Sequence, residues 1–300
     1  MDNKPKKNIC FISSLFSSYI DYVDKPGYFK RFGDCNNNNN NLECDYFLFT
    51  NLDSSSFNTS WTIINIPFDN SKFKNLVVLS RYPKFMLWKI MEDYKEYFEY
   101  TYDIVVYCDA FLSPSDEYDW FRIYNFLMDS RLKKLDKNLD INNQLNFVQS
   151  KHHYKKIREG GIVEDAKMII SSNKDNFLRV AKTLKFFKDN GFGGVWLKRN
   201  GYVENTVFCY DLFCLKTRKF LQDFWNLYTV KEFTYRDQII WNYLLIKQNK
   251  KVIIFDEETD LSCEFLENNN NNKNNKNNKN NKNKKNNNNN ENNNNKNNNK

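Results

Sequence analysis

Three groups of residues in this chain are of types that do chemistry, and each lies beside a feature that would hold it in place. The first is Asp109, near the end of YDIVVYCDAFL (102–112). The run 104–107 is β-branched or aromatic and lacks polar alternation, which predicts a strand buried on both faces, as in a parallel α/β sheet. Open α/β sheets bind ligands at the carboxyl ends of their strands, so a carboxylate there would face a ligand diphosphate, directly or through a divalent metal. Asp109 would equally serve to cap a helix beginning near Ser115. The second group is Arg81 and Lys84, three apart in SRYPK. Pro83 suits the first turn of a helix entered at Ser80 or Tyr82, and a helix amino end with two cations makes an anion site. Both cations would otherwise simply face solvent. The third group is Arg236-Asp237-Gln238. Thr234 is a natural amino cap, which puts all three in a first helical turn, where the dipole alone also favours Asp.

Other candidates are weaker. His152 and His153 are the only histidines. Adjacent histidines in a loop do not make a metal site without further ligands, though one of them could touch a substrate. Ser13, Ser14, Ser17 and Ser18 follow the first strand, where a nucleotide often meets the backbone, or they are only a turn. Gly191-Phe192-Gly193-Gly194 lacks the GxGxxG order and a preceding strand, so it reads as a helix end and turn. No GxSxG, HExxH, P-loop or EF-hand pattern is present.

The elements that must position these residues alternate along the chain. Strands are predicted at 8–13, 45–50, 61–66, 104–107, 146–149, 205–210 and 252–255. Helices are predicted at 85–98 with its start at Ser80 or Tyr82, and at 115–130, 160–171, 175–190, 216–228 and 234–247. This order predicts an α/β fold with a mostly parallel, Rossmann-like sheet flanked by helices. Residues 36–41 are six consecutive Asn, a low-complexity loop insertion.

Composition narrows the classes. Residues 268–300 are almost all Asn and Lys, hold no apolar residue and are expected to be disordered. Residues 1–267 are long enough for one domain with a sizeable core. The tail carries eight Lys and one Glu, so +7 of the formal +8 belongs to it and +1 to the rest. The folded part thus has no basic excess that calls for a nucleic-acid partner; only the dilute lysines of the tail would bind a polyanion. The seven Cys lack CxxC spacing, and Cys10, Cys108 and Cys209, within apolar strand-like runs, look like small buried hydrophobes in a reducing compartment. No apolar run approaches the ~20 residues of a membrane span. The start KPKKNICFISSLF resembles a secretory signal, but its apolar part is short, holds two Ser and precedes no clear cleavage site. A cytoplasmic location is the expectation.

In order, ICFISSLFSSYIDY, DYFLFTN, Trp61, SRYPK and YDIVVYCDA resemble the first half of the DUF616 proteins, a family of glycosyltransferase-like domains. The histidine pair, Arg158 with GGIVEDA, Trp225 and YRDQIIWNY resemble the second half, so the likeness spans 9–255. The resemblance implies a single GT-A-like domain over 1–267 that transfers a sugar from a nucleotide-sugar donor to a hydroxyl of a glycan, lipid or protein acceptor. It implies that Arg81, Lys84, Asp109 and Arg236 hold the donor diphosphate. Asp109 would also bind Mn2+ or Mg2+, and Asp237 and Gln238 would act at the sugar. Asp237, Gln238 and Asn242 also resemble the DQ-x-x-x-N segment of glycogenin-like transferases, which lies beside the donor sugar. Related domains usually work in the secretory pathway behind a membrane anchor, and none is evident here. The chain departs from the pattern at three places. Cys108-Asp109-Ala110 has one acid where many GT-A enzymes have DxD, Asp165 stands where Glu is expected, and the arginine expected near Asn205 is not evident. The single acid also fits a nucleotide-sugar-binding module without turnover.

Overall fold

A computed structural model describes residues 4–18, 26–29, 31, 42–73, 75–112, 114, 120–133, 144–193 and 202–255. These lie in one compact unit, Met1–Glu264. The Asn insertion at 36–41, residues 115–119 of the expected second helix, Gly194 and the tail at 268–300 lie outside the described residues.

Seven strands form one sheet among the described residues: β1 (Lys6–Leu15), β2 (Cys44–Thr50), β3 (Thr62–Ile64), β4 (Thr101–Cys108), β5 (Gln144–Lys151), β6 (Val203–Asp211) and β7 (Lys251–Phe255), in the order β3-β2-β1-β4-β6-β5-β7. All neighbouring pairs are parallel except those made by β6, which runs antiparallel to both β4 and β5. Among the described residues six α-helices flank it: α1 (Leu76–Asp93), α2 (Trp120–Lys133), α3 (Lys155–Ser171), α4 (Phe177–Asp189), α5 (Leu215–Tyr228) and α6 (Asp237–Lys247). The architecture is the expected α/β, Rossmann-like one.

The central strand explains its own composition. All eight residues of β4 are buried. Val105 and Tyr107 enter the core shared with α1, α3, α5 and α6, whereas Ile104, Val106 and Cys108 enter the core under α2. With helices on both faces a strand has no polar side to show. The reversal of β6 matters for the site. Its amino-terminal half lies at the edge where β1, β4 and β5 end, and the Asp109 N–H donates to the Thr206 carbonyl there at 3.0 Å.

Four local expectations are corrected. Helix α1 starts at Leu76, with the Asn75 side chain accepting from the Val78 N–H, so Arg81 and Lys84 are not at a helix amino end. Pro83 lies inside the helix, which departs from helical angles at Met86. Proline cannot donate to the Leu79 carbonyl and crowds it, which bends helices; the Ser14 hydroxyl satisfies the neighbouring Ser80 carbonyl at 2.5 Å. Helix α6 starts at Asp237, with Arg236 as the capping position. Thr234 instead forms a turn, accepting from the Arg236 N–H and donating to Asp175. Helix α3 starts at Lys155, before the glycines, and Gly161 breaks it at φ 62°, ψ −148°, a conformation essentially reserved for glycine. Strand β3 is shorter than 61–66 because it pairs only with Phe47–Phe49 of β2, although Trp61 and Ile66 remain buried.

Candidate functional site

The carboxyl edge of the sheet brings together the three groups read from the sequence. Asp109 follows the last residue of β4. Its Oδ1 accepts from the Tyr107 hydroxyl at 2.8 Å and lies 3.5 Å from Lys84 Nζ. Asp237, first residue of α6, offers Oδ2 to the same ammonium at 3.2 Å. Lys84 reaches both from the middle of α1. Its side chain is 3% exposed, and the ammonium sits 4.6 Å from the centre of the Tyr107 ring. One buried lysine therefore joins two carboxylates that arrive from a strand end and a helix start far apart in the chain.

Arg81 lies one turn before Lys84. Its Nε is 3.8 Å from Asp237 Oδ2, and Nη1 donates to Ser80 Oγ at 3.0 Å. Neither Arg81 Nε nor Asp237 Oδ2 makes a hydrogen bond of proper angle, although both atoms are buried. Burial opposes the charge on Arg81, but Asp237 and then Tyr107 and Tyr228 outweigh it and raise its pKa. Burial also pushes Asp237 toward protonation, yet Lys84, Arg81 and Arg236 hold its carboxyl down at about 2. Asp237 is thus a carboxylate at neutral pH. Burial, then the charge of Asp109, pushes the Tyr107 phenol well above its ordinary range, so it remains a donor.

Arg236 acts on this cluster by its charge, on Asp237 and also on Asp165. Asp165 is buried against the Tyr202 hydroxyl at 2.6 Å. Burial raises its carboxyl above the usual range despite Tyr202 and Arg236. Gln238 holds a strand in place, since its Oε1 accepts from the Asn205 N–H at 3.3 Å. Asn242, one turn on, accepts from the Val203 N–H at 3.1 Å and donates to the Val203 carbonyl at 3.0 Å. The DQ-x-x-x-N segment thereby fastens α6 to the first residues of β6.

Several site residues escaped the sequence reading. Tyr107 looks like strand filling until its hydroxyl is seen on Asp109. Asn205 is 2% exposed; its Oδ1 accepts from Gln149 at 2.8 Å while its Nδ2 has no partner. Glu204 carries no motif, yet its Oε2 lies 2.6 Å from His153 Nδ1. The histidine pair therefore has a third neighbour after all. His152 is buried; burial, then His153 and Arg158, lowers its pKa to about 4, so it is neutral at physiological pH.

Among the described residues, Cys108 and Cys209 are buried in the sheet. A small cavity beneath α2 is lined by Trp120, Ile123, Val148 and Cys209, with none of the acidic or basic site residues. Burial pushes the Cys209 and Cys108 thiols well above their ordinary range, which leaves them inert.

Fold and site together define an α/β protein whose polar cluster lies where such sheets bind ligands. No family model matches this chain, and no curated protein matches it.

Proposed function

We propose that this protein is a glycosyltransferase of GT-A type that moves a sugar from a nucleotide-sugar diphosphate to an acceptor hydroxyl. The observation that carries the reading is the buried Lys84 ammonium between Asp109 and Asp237 at the carboxyl edge of the sheet. A leaving diphosphate needs fixed positive charge, and a water-poor site makes such charge count for more. Lys84, Arg81 and Arg236 supply it, and the buried Arg81 Nε, paired by charge with Asp237 at 3.8 Å, makes no hydrogen bond. Mg2+ and Mn2+ are commonly held by one or two carboxylates together with substrate phosphates. The single Asp109 fits that pattern, and a bound ion would add charge on the diphosphate there. Asp237, held near 2, is a poor proton acceptor at neutral pH. It acts electrostatically, as a fixed negative charge beside the positive charge that builds on the anomeric carbon. Gln238 and Asn205 set the wall on which the sugar rests.

A second reading is a module that binds nucleotide sugars without turnover. It is favoured by the single acid at Asp109 and by the way Lys84 already neutralises it. One experiment separates the two. UDP- and GDP-sugars are screened by thermal shift with and without Mn2+, since a ligand selective for the folded state raises the melting temperature. Hits are then assayed for donor hydrolysis and transfer. Stabilisation with turnover supports the transferase, and stabilisation without turnover supports the module. A screen in which no nucleotide sugar shifts the melt removes both.

No described helix is long and apolar enough to cross a membrane. Cytoplasmic action on a glycan, lipid or protein acceptor is part of the proposal.

A further inference from the structure

His152 and His153 follow the last residue of β5. Successive strand residues point to opposite faces, but the chain leaves the ladder at Lys151 and the two rings stack, 4.9 Å apart at 14°. Beside them β6 runs the other way, with Val203 opposite Lys151. Glu204 is thereby set against the pair. Its Oε2 lies 2.6 Å from His153 Nδ1 and accepts from the His153 N–H at 3.4 Å. One donor atom from each of the three residues falls within 4.8 Å of the others.

We propose that His152, His153 and Glu204 form a site for a divalent transition-metal ion of the Zn2+ class, with a fourth position open to water. Two imidazoles and one carboxylate are a nitrogen-rich set, which suits Zn2+ and its neighbours and not the oxygen-seeking Mg2+ or Ca2+. Donors in a tetrahedral zinc site with bonds of 2.0–2.2 Å stand roughly 3.4 Å apart, so His153 Nδ1 and Glu204 Oε2, now 2.6 Å apart, must part slightly while the widest donor pair closes from within 4.8 Å. His152 is anchored: its N–H donates to the Tyr202 carbonyl at 3.0 Å, and its carbonyl accepts from Arg158 Nη1 at 3.3 Å. Its Nδ1 accepts from the Tyr154 N–H at 3.1 Å. A metal on this nitrogen would displace the Tyr154 N–H contact. The His153 side chain is 61% exposed, which leaves the outward position to solvent, as in open rather than closed zinc sites.

This donor set shares no residue with the cluster around Asp109. Glu204 lies two residues along β6 from Thr206, whose carbonyl holds the Asp109 N–H, a distance of roughly 7 Å along a strand. The inference does not rest on the transferase reading.

The test uses the full chain, stripped with a chelator. Zn2+ is titrated by calorimetry, and Co2+ by its visible spectrum, which distinguishes nitrogen and oxygen ligands from thiolates. The expected result is one equivalent bound without a thiolate band. His153→Ala and Glu204→Gln should each bind at least about tenfold more weakly, a loss that even outer-sphere partners cause at other sites. Asp109→Asn should bind as the parent does, whatever it does to nucleotide-sugar binding. His153 is exposed enough that its removal spares the fold, and circular dichroism melts verify this. No stoichiometric binding by the parent, a thiolate spectrum, or binding that both variants retain would each overturn the site and leave a plain His153–Glu204 hydrogen bond.

Discussion

Lys84 has two carboxylates within 3.5 Å and almost no contact with water. Removing one partner of a buried ion pair strands the others, at a typical cost of about 3–5 kcal/mol. Lys84→Met should therefore lower the free energy of unfolding in urea by about that much; a loss below about 1 kcal/mol would mean that the lysine is not the bridge described. The two acids separate stability from chemistry. Under the transferase proposal, Asp109→Asn and Asp237→Asn keep the shape of the site while removing charge, and each should lower kcat/KM by about 100–1000-fold. Transfer at the parent rate by both variants would refute those roles. Asp237 also sets a pH dependence. Its folded-state pKa of about 2 lies below the unfolded value, so the unfolded chain takes up the proton first. The stability it contributes is complete above about pH 4 and lost as pH falls toward 2. Asp237→Asn should flatten the acid limb of the stability profile between those values, and an unchanged limb would show that the carboxylate is not held down.

At the scale of elements, the site depends on how α6 grips β6. Asn242 makes three hydrogen bonds, accepting from the Val203 N–H and donating to the Val203 and Gln238 carbonyls, all at 3.0–3.1 Å. Asn242→Ala would leave buried backbone groups at the start of β6 unpaired. A loss of about 2–3 kcal/mol in unfolding free energy is expected, read as a lower urea midpoint with unchanged slope. A neutral substitution would mean that β6 is held by its ladder alone. Helix α1 shows the converse, since it holds Pro83, departs from helical angles at Met86 and is tied to β1 by the Ser14–Ser80 bond beside Arg81 and Lys84.

At the scale of the molecule, two hydrophobic cores on opposite faces of one sheet account for the folded unit. The Asn/Lys segment 268–300 has no apolar residue to add to either. Ending the chain after Glu267 should leave the thermal melt unchanged, and with it any nucleotide-sugar shift. It should abolish salt-sensitive retention on a polyanion column, because those lysines carry nearly all the excess charge. A lower melting temperature would show that the segment packs on the domain.

The alternation of strands and helices, the burial of 104–107 and the acid at its end were legible in the sequence because hydrophobic period and turn chemistry are local. So was the first-turn place of Asp237 and Gln238. The start of α1 was misread because Pro83 is a strong local signal for a helix beginning, and Asn75 with the packing of Leu79 and Val78 overrode it. Three facts were settled only by tertiary structure: that Lys84 joins Asp109 to Asp237, that Gln238 faces Asn205, and that Glu204 meets the histidine pair. Each is a contact between distant segments. Each depends on the order and direction of strands, above all on the reversal of β6, and no residue pattern within a single segment encodes either.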